Sequence, residues 1–443
     1  MVSRFPSSIG DSFNMMSRRI PQEMYEEILA NLQDDEVSLQ NCTLVCRAWL
    51  PRARHHLFHS ITLDPSSRSP RFKELIRSCQ DVAPLVRVLE LRGRAWARRG
   101  WWDPENGLPA NLMWPTLPGM QNHPSRRDSD VLETLSWLRG TFTSSSSPSH
   151  DPVAAISLPN VRSLRLDEVT FNSDTAAFLA AAFPRLESLT LNGCRAMAFA
   201  SLVDLMQSFL LLRTLRLLSA EWLPLPHHAE HALPRPTDTT STSTTVPDLV
   251  NLEFTRDIFV QPVLEWLSKV EAHKTVRSLK CSITTQASAN ALRAFLQASG
   301  PMLQRLYMTL SESRGPTSIL EATQFTLSTC TGLERLEIQC SPPHHMPPSE
   351  HRSLSWVLIL LSKVRSPCLR EIRISIASAQ LSRLNLEGLD VVLAKDCYGS
   401  LEHLTFILDS IRAGGGGRDK VKRTLTERMS TAHAQGLIQV EYA

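Results

Sequence analysis

The chain has 443 residues, with 47 lysines and arginines against 44 aspartates and glutamates and a formal charge of +3. That length exceeds one typical domain and suits a small module joined to a larger one, while so even a charge balance leaves no basic footprint for nucleic acid. The opening Met1 to Gly10 lacks the apolar core of a signal peptide, Trp356 to Leu361 is too short an apolar run to span a bilayer, and nine cysteines without a CxxC pair point to reduced thiols. A soluble protein of the cytoplasm or nucleus, or both, is expected.

Residues 1–18 are Ser-rich and expected to be flexible. From Ile20 the pattern becomes helical. Pro21 suits an opening turn, Glu23, Glu26 and Glu27 oppose the positive helix end, and Met24, Ile28, Leu29 and Leu32 recur at helical spacing. Asp34-Asp35 breaks this helix and offers a cap for the next, in which Val37, Leu39, Cys42, Val45 and Cys46 keep an apolar side. A third helix is expected through Trp49, Pro51 and His55. About 40 residues cannot bury a self-sufficient core, so the piece needs the rest of the chain or a partner.

These residues carry a family likeness. Ile20-Pro21-x-Glu23-Met24, Ile28-Leu29-x-x-Leu32 and Leu44-Val45-Cys46-Arg47-Ala48-Trp49-Leu50, closed by Leu57-Phe58-x-x-Ile61-x-Leu63, resemble the F-box, and in flavour the F-boxes abundant in mushroom-forming fungi. Ile20 stands where the family usually has Leu, and Cys46-Arg47 where it has a Ser-Lys pair. The resemblance covers about a tenth of the chain. It implies three helices over 19–60 that bind the adaptor Skp1 of cullin–RING ubiquitin ligases, through Ile20, Pro21, Met24, Ile28, Leu29, Leu32, Leu44, Val45, Trp49 and Leu50. The outward apolar positions, such as Leu29 and Leu32, would then discriminate docking from folding. The alternative is an unrelated three-helix cap for the downstream domain, with Trp49 a core anchor.

After an expected strand at Ser60 to Leu63 and a helix at Arg71 to Cys79, one template recurs ten times: apolar, two others, Leu-like, one other, apolar. The copies begin at Val86, Val161, Leu186, Leu212, Leu249, Val276, Leu303, Leu333, Leu369 and Leu401. Central positions 164, 189 and 215 lie 25 and 26 apart, and 252, 279 and 306 lie 27 and 27 apart. These periods fall in the leucine-rich-repeat range. Period two within each strand sends alternate residues inward, and helical spacing at Thr175 to Phe183, Ala200 to Phe209, Val260 to Val270, Ala287 to Leu296 and Leu354 to Val364 supplies an outer layer. Cys194 alone clearly matches the family's extra Asn or Cys slot, and Cys281 and Cys340 fill apolar slots as small hydrophobes. The expected fold is therefore α/β: an N-terminal three-helix module, then an irregular leucine-rich-repeat solenoid over 61–443, a curved parallel sheet with outer helices. A generic α/β domain with parallel strands is the competing architecture.

Three interruptions are expected. Residues 92–152 form an insertion rich in Arg, Trp, Pro and Ser with one helix at Val131 to Leu138; 223–247 is a disordered Pro, His and Thr linker; and 341–350 is a Pro/His loop. Gly414 to Gly417 reads as a tether, Asp419 to Ala432 as one amphipathic helix, and Leu437 to Tyr442 as a closing strand.

No catalytic constellation emerges. The glycine run lacks a following Gly-Lys-Ser/Thr, so it is not a phosphate cradle. Cys42 and Cys46 with His55, His56 and His59 mimic a metal set, yet the thiols complete an apolar helix stripe; His344, His345, Glu350 and His351 suit a solvated loop. Neither metal nor cofactor is expected. Arg92, Arg94, Trp96, Arg98, Arg99, Trp101 and Trp102 interleave charge with aromatics, as single-strand nucleic-acid surfaces do, though tryptophans folding back on the solenoid or a protein-docking loop suit them better.

The resemblance thus implies a non-catalytic substrate receptor of an SCF-type ligase, reaching a cullin through Skp1. The row between the final apolar positions of each repeat would hold the target: Glu90, Arg165, Thr190, Arg216, Glu253, Lys280, Tyr307, Glu337, Arg373 and Thr405. It mixes both signs with one aromatic and shows no convergent titratable cluster of the kind an enzyme needs. A scaffold that uses Skp1 without directing ubiquitination shares every one of these features.

Overall fold

The computed structural model describes residues 21–63, 68–92, 158–171, 173–196, 199–219, 221–222, 246–310, 325–340, 354–408 and 416–442. The Arg/Trp-rich cluster beyond Arg92, the helix expected at Val131 to Leu138, the Pro/His loop and nearly all of the Thr-rich linker lie outside these residues.

Three short helices open the chain: α1 (Gln22–Asn31), α2 (Glu36–Val45) and α3 (Leu50–His59). Pro21 sits just ahead of α1 as its cap residue, one step earlier than an opening-turn position. Asp35 caps α2, its carboxylate accepting from the Ser38 N–H at 3.0 Å, which satisfies one of the donors a helix start leaves open. Arg52 on α3 reaches Glu26 on α1 at 3.0 Å. Among the described residues the core of this module is Leu29, Leu39, Cys42 and Ala53, with Tyr25, Leu32, Trp49 and Leu57 packed around it. It is separate from the large core downstream.

α3 passes without a break into the first strand, β1 (Ser60–Leu63). Leu57 turns toward the small core and Phe58 toward the large one, so one helix belongs to both bodies. At this joint Arg54 pairs with Asp81 at 3.2 Å. The His55, His56 and His59 rings crowd together, with centroids 5.5 and 5.7 Å from that of His55.

From β1 the chain coils. Helix α4 (Arg68–Ser78) leads to β2 (Val88–Arg92). The strands β3 (Ser163–Asp167), β5 (Ser188–Asn192), β7 (Thr214–Leu218), β9 (Asn251–Phe254) and β10 (Ser278–Ile283) follow, the first three each trailed by a two-residue strand, β4 (Thr170–Phe171), β6 (Arg195–Ala196) and β8 (Glu221–Trp222). β11 (Arg305–Leu310), β12 (Arg335–Cys340), β13 (Glu371–Ile376), β14 (His403–Leu408) and β15 (Ile438–Tyr442) complete the array. They form one twelve-stranded, wholly parallel sheet in chain order. Each strand pairs with its predecessor and successor, as a solenoid requires and a doubly wound sheet does not.

The register places all ten template copies in step. Leu89, Leu164, Leu189, Leu215, Leu252, Leu279, Leu306, Leu336, Ile372 and Leu404 lie on one transverse row. All ten are essentially buried. Their inner face packs on helices at Ser173–Ala182, Phe199–Ser208, Val260–Lys269, Gln286–Ser299 and Ser355–Ser362, close to the segments expected from spacing.

Three features departed from expectation. A second parallel sheet of two-residue strands, β4 (Thr170–Phe171), β6 (Arg195–Ala196) and β8 (Glu221–Trp222), runs beside the early repeats. It follows from a turn repeated at one position: Glu168, Gly193 and Ser219 all have positive φ, the left-handed conformation that redirects a strand sharply. A helix at Leu386–Leu393, unforeseen in the repeat pattern, lies in the outer layer. The helix expected over Asp419 to Ala432 is two, Gly416–Arg428 and Ser430–Ala434, broken at Met429. Asp390 explains the break: its carboxylate accepts from the Thr431 and Ala432 N–H groups at 3.0 and 2.8 Å, capping a fresh helix start.

The thiols at Cys194, Cys281 and Cys340 are buried and pushed up to about 12 by that burial, and Cys330 to about 11. They act as small hydrophobes. Cys194 additionally donates to the Leu166 carbonyl at 3.1 Å.

A Cβ at Gly332 would lie 2.2 Å from the Pro301 carbonyl oxygen, so Gly332→Ala should destabilise the fold by about 1–3 kcal/mol, read as a lowered denaturation midpoint. At the joint, burial and then the neighbouring His56, His59, Arg52 and Arg87 push the His55 ring below its usual range, and burial lowers His56 as well. A base depressed in the folded state contributes stability above its unfolded value near 6.5, and loses it as pH falls through the folded value. Melting temperature should therefore drop on acidification below that point, and less steeply in a His55→Gln/His56→Gln variant.

Candidate binding surfaces

Two surfaces stand out, and the same alternation builds both: an element commits one face to a core and leaves the other to solvent. On the helical module, Leu29 is fully buried. This corrects its assignment to the docking surface, because α1 turns Tyr25, Leu29 and Leu32 toward α2 and α3. Leu32 and Trp49 are half-buried against the same small core, with the Tyr25 and Trp49 rings 6.2 Å apart. Leu50 is half-buried too, and Pro21 is exposed. Ile20 lies outside the described residues.

The open face is made by other side chains. Met24 is 55% exposed, Ile28 41%, Leu44 84% and Val45 62%. Val37 joins them at 67%, which corrects the expectation that it shares an inward stripe with Leu39 and Cys42. Val37 and Leu44 are seven apart and occupy one side of α2, while Leu39 and Cys42 occupy the other. Both α1 and α2 are thus apolar on two faces, and spacing alone could not say which face is covered. Cys46 is exposed while Cys42 is in the core. Among the described residues no group of three or more His, Cys, Asp or Glu side chains could hold a metal ion, and no helix is long and apolar enough to cross a membrane.

The second surface is the concave face of the sheet. The register brings all ten residues of the expected row together, from Glu90 through Arg165, Thr190, Arg216, Glu253, Lys280, Tyr307, Glu337 and Arg373 to Thr405. Thr62 and Gln439 extend it at either end. Neighbouring members stand about 4.8 Å apart, the spacing of paired strands. Thr190 and Thr405 are buried and contribute little open surface.

Charges along this row pair with one another. Arg216 and Lys280 flank Glu253, at 3.3 and 2.9 Å. Lys280 Nζ sits 4.6 Å from the Tyr307 ring centroid, a cation–π geometry. The Tyr307 hydroxyl donates to Gln339. Toward the first repeats Arg165 lies 3.0 Å from Asp167 and 3.9 Å from Glu90. Burial pushes the Asp167 carboxyl above its usual range, while against burial the neighbouring Asp167 and the Arg92 and Arg165 guanidinium groups hold Glu90 below its own.

Sequence reasoning identified the middle row and missed the two flanking it. Two residues before each middle position lie Ser278, Arg305, Arg335, Glu371 and His403; two after lie Asp167, Asn192, Gln339 and Glu441. The period of two already implied that these residues share the concave face. Arg335 bonds Glu371, which also takes Arg373 at 2.6 Å, and Arg373 reaches Glu441 at 3.5 Å. A groove of about 360 Å³ opens over β7 to β12, with Tyr307 in its lining.

Within that groove Glu337 accepts no hydrogen bond from any described residue. Burial raises its carboxyl above the usual range, with Glu371 adding to the rise and Arg373, Lys280 and Arg335 opposing it. An acid raised in the folded state weakens folding above that value and has no effect below its unfolded value near 4.5. Glu337→Gln should therefore raise the melting temperature at neutral pH by roughly 1–3 °C, with the gain vanishing near pH 4, as thermal denaturation at the two pH values would read.

No protein-family model matches the chain, and no curated protein does. Among solved structures it is similar to a chain in the crystal structure of the Rad7 and Elc1 complex in yeast, with a TM-score of 0.36 and 16% sequence identity over 92% of this chain and 85% of that chain. A likeness at that score carries no argument for function.

Proposed function

We propose that this chain is the substrate-recognition subunit of an SCF-type ubiquitin ligase. In this reading the helical module docks on Skp1 and, through it, on a cullin–RING assembly. The concave sheet holds a target protein for a ubiquitin-conjugating enzyme recruited elsewhere. The chain supplies positioning and no bond chemistry, in the cytoplasm or nucleus.

The observation that carries the reading is the set of exposed apolar side chains on α1 and α2. A module with four buried core residues keeps Met24, Ile28, Leu44 and Val45 in solvent. Exposed apolar side chains grouped on one small element mark an interaction site. They fall within the segment whose sequence resembles the F-box, and on the faces turned away from the module's own core. The continuous α3–β1 joint suits the role, because a receptor has to hold its target at a set distance from the docking site.

The choice of test follows from burial. A carboxylate at Leu29 would be placed in the core and would report folding. Leu44→Asp/Val45→Asp alters only exposed positions, so it should leave the melting temperature nearly unchanged and weaken Skp1 capture about tenfold or more. Co-purification of the full chain measures both. Failure of the wild-type chain to retain Skp1 would remove the assignment, and retention of Skp1 without a cullin would favour the scaffold reading.

A further inference from the structure

The register puts more positive charge in the middle of the concave face than the alternating row suggests. The groove over β7 to β12 is lined by four cations, Arg216, Lys280, Arg305 and Arg335, against two carboxylates, Glu253 and Glu337. Glu253 is shared between Arg216 and Lys280. Glu371, outside the lining, is shared between Arg335 and Arg373. Arg216 and Lys280 thus divide one carboxylate, whereas Arg373 also reaches Glu441 at 3.5 Å. Arg305 is exposed and has no carboxylate within ion-pair distance among the described residues. The second lining carboxylate, Glu337, lies among Lys280, Arg335 and Arg373 but is bound in ion-pair geometry to none of them among the described residues.

From this we infer that the groove is a docking site for an extended acidic peptide segment, rich in aspartate and glutamate, of the partner protein. The inference rests on the receptor reading above and names the class of segment that the concave face takes. Arg216 on β7 and Arg335 on β12 are four strand steps apart, about 19 Å at the spacing of paired strands. That span accommodates about six residues of extended chain. Three of the four cations are arginines, whose forked guanidinium donors match carboxylate geometry. Ser278, Thr214 and Asn251 in the lining add neutral hydrogen-bonding groups, and Tyr307 supplies a half-buried aromatic floor. The occupant lies across the strands, so side chains do the recognising; the backbone donors beneath are already paired within the sheet.

The test uses the full chain and fluorescence anisotropy with three labelled probes: a short peptide alternating glutamate and serine, its lysine–serine counterpart, and a single-stranded oligothymidine. The acidic peptide should bind, more weakly as salt rises, and the lysine peptide should not. Lys280→Glu/Arg305→Glu should weaken acidic-peptide binding about tenfold or more, and Arg305→Glu alone, at an exposed position without a carboxylate partner, should weaken it measurably with the melting temperature unchanged. Arg423→Glu, exposed on the helix Gly416–Arg428, should leave binding within about twofold. Acidic-peptide binding that is absent, or matched by the lysine peptide or by the oligothymidine, overturns the inference. Skp1 capture measured on the same variants should not change, so loss of peptide binding with capture retained separates this site from the helical module. Peptide binding that persists in a chain unable to capture Skp1 supports the groove and removes the ligase reading alone.

Discussion

One backbone contact sets the geometry of everything downstream. Just ahead of each strand of the twelve-stranded sheet from β3 to β14, a single carbonyl of the preceding repeat accepts two successive N–H groups: Arg87 from Arg162 and Ser163, Arg162 from Glu187 and Ser188, and so on to Arg370 from Glu402 and His403. The distances stay between 2.8 and 3.1 Å along the whole series. A carbonyl has two lone pairs, and here both are spent locking the next strand into register. A slip of one residue would turn every buried leucine to solvent and every concave charge into the core.

Everything functional follows from that lock. It stacks the leucines into a continuous core that no single repeat could close, and it stacks the residues between them into a charged face that no single strand could make. Arg216, Lys280, Arg305 and Arg335 come from four strands, with the last of them nearly 120 positions beyond the first. They share a groove only because β7 to β12 are in step. The array also extends past the ten copies. Ser60 to Leu63 and Ile438 to Tyr442 add a strand at each end, and the first of these ties the helical module to the sheet through α3.

The helical module obeys a different constraint. Three helices of ten residues each have too little surface to bury all the apolar side chains they carry. Leu29, Leu39, Cys42 and Ala53 take the interior, and Met24, Ile28, Val37, Leu44 and Val45 are left outside. The surplus is the basis for reading the module as a docking element. A cap serving only the solenoid would turn those residues toward the large core, as Phe58 and Ile61 do.

Much was legible in the sequence because it depends on period alone. The ten-fold template located the strands, helical spacing located most of the outer helices, and the residue between the two final apolar positions located the concave row. These are properties of single strands and helices, and burial of alternate residues enforces them locally. Choices between faces and between partners were not legible. Leu29 and Ile28 are adjacent and equally apolar, and only the packing of α2 and α3 against α1 buries the first and exposes the second. The break at Met429 depends on Asp390, about 40 residues away, supplying a cap. The excess of cations in the groove depends on register across five strands. The sequence by itself determined the repeating unit, since hydrophobic period is written residue by residue; only the tertiary structure decided which surfaces remain open, since exposure is a property of neighbours that a chain acquires when it folds.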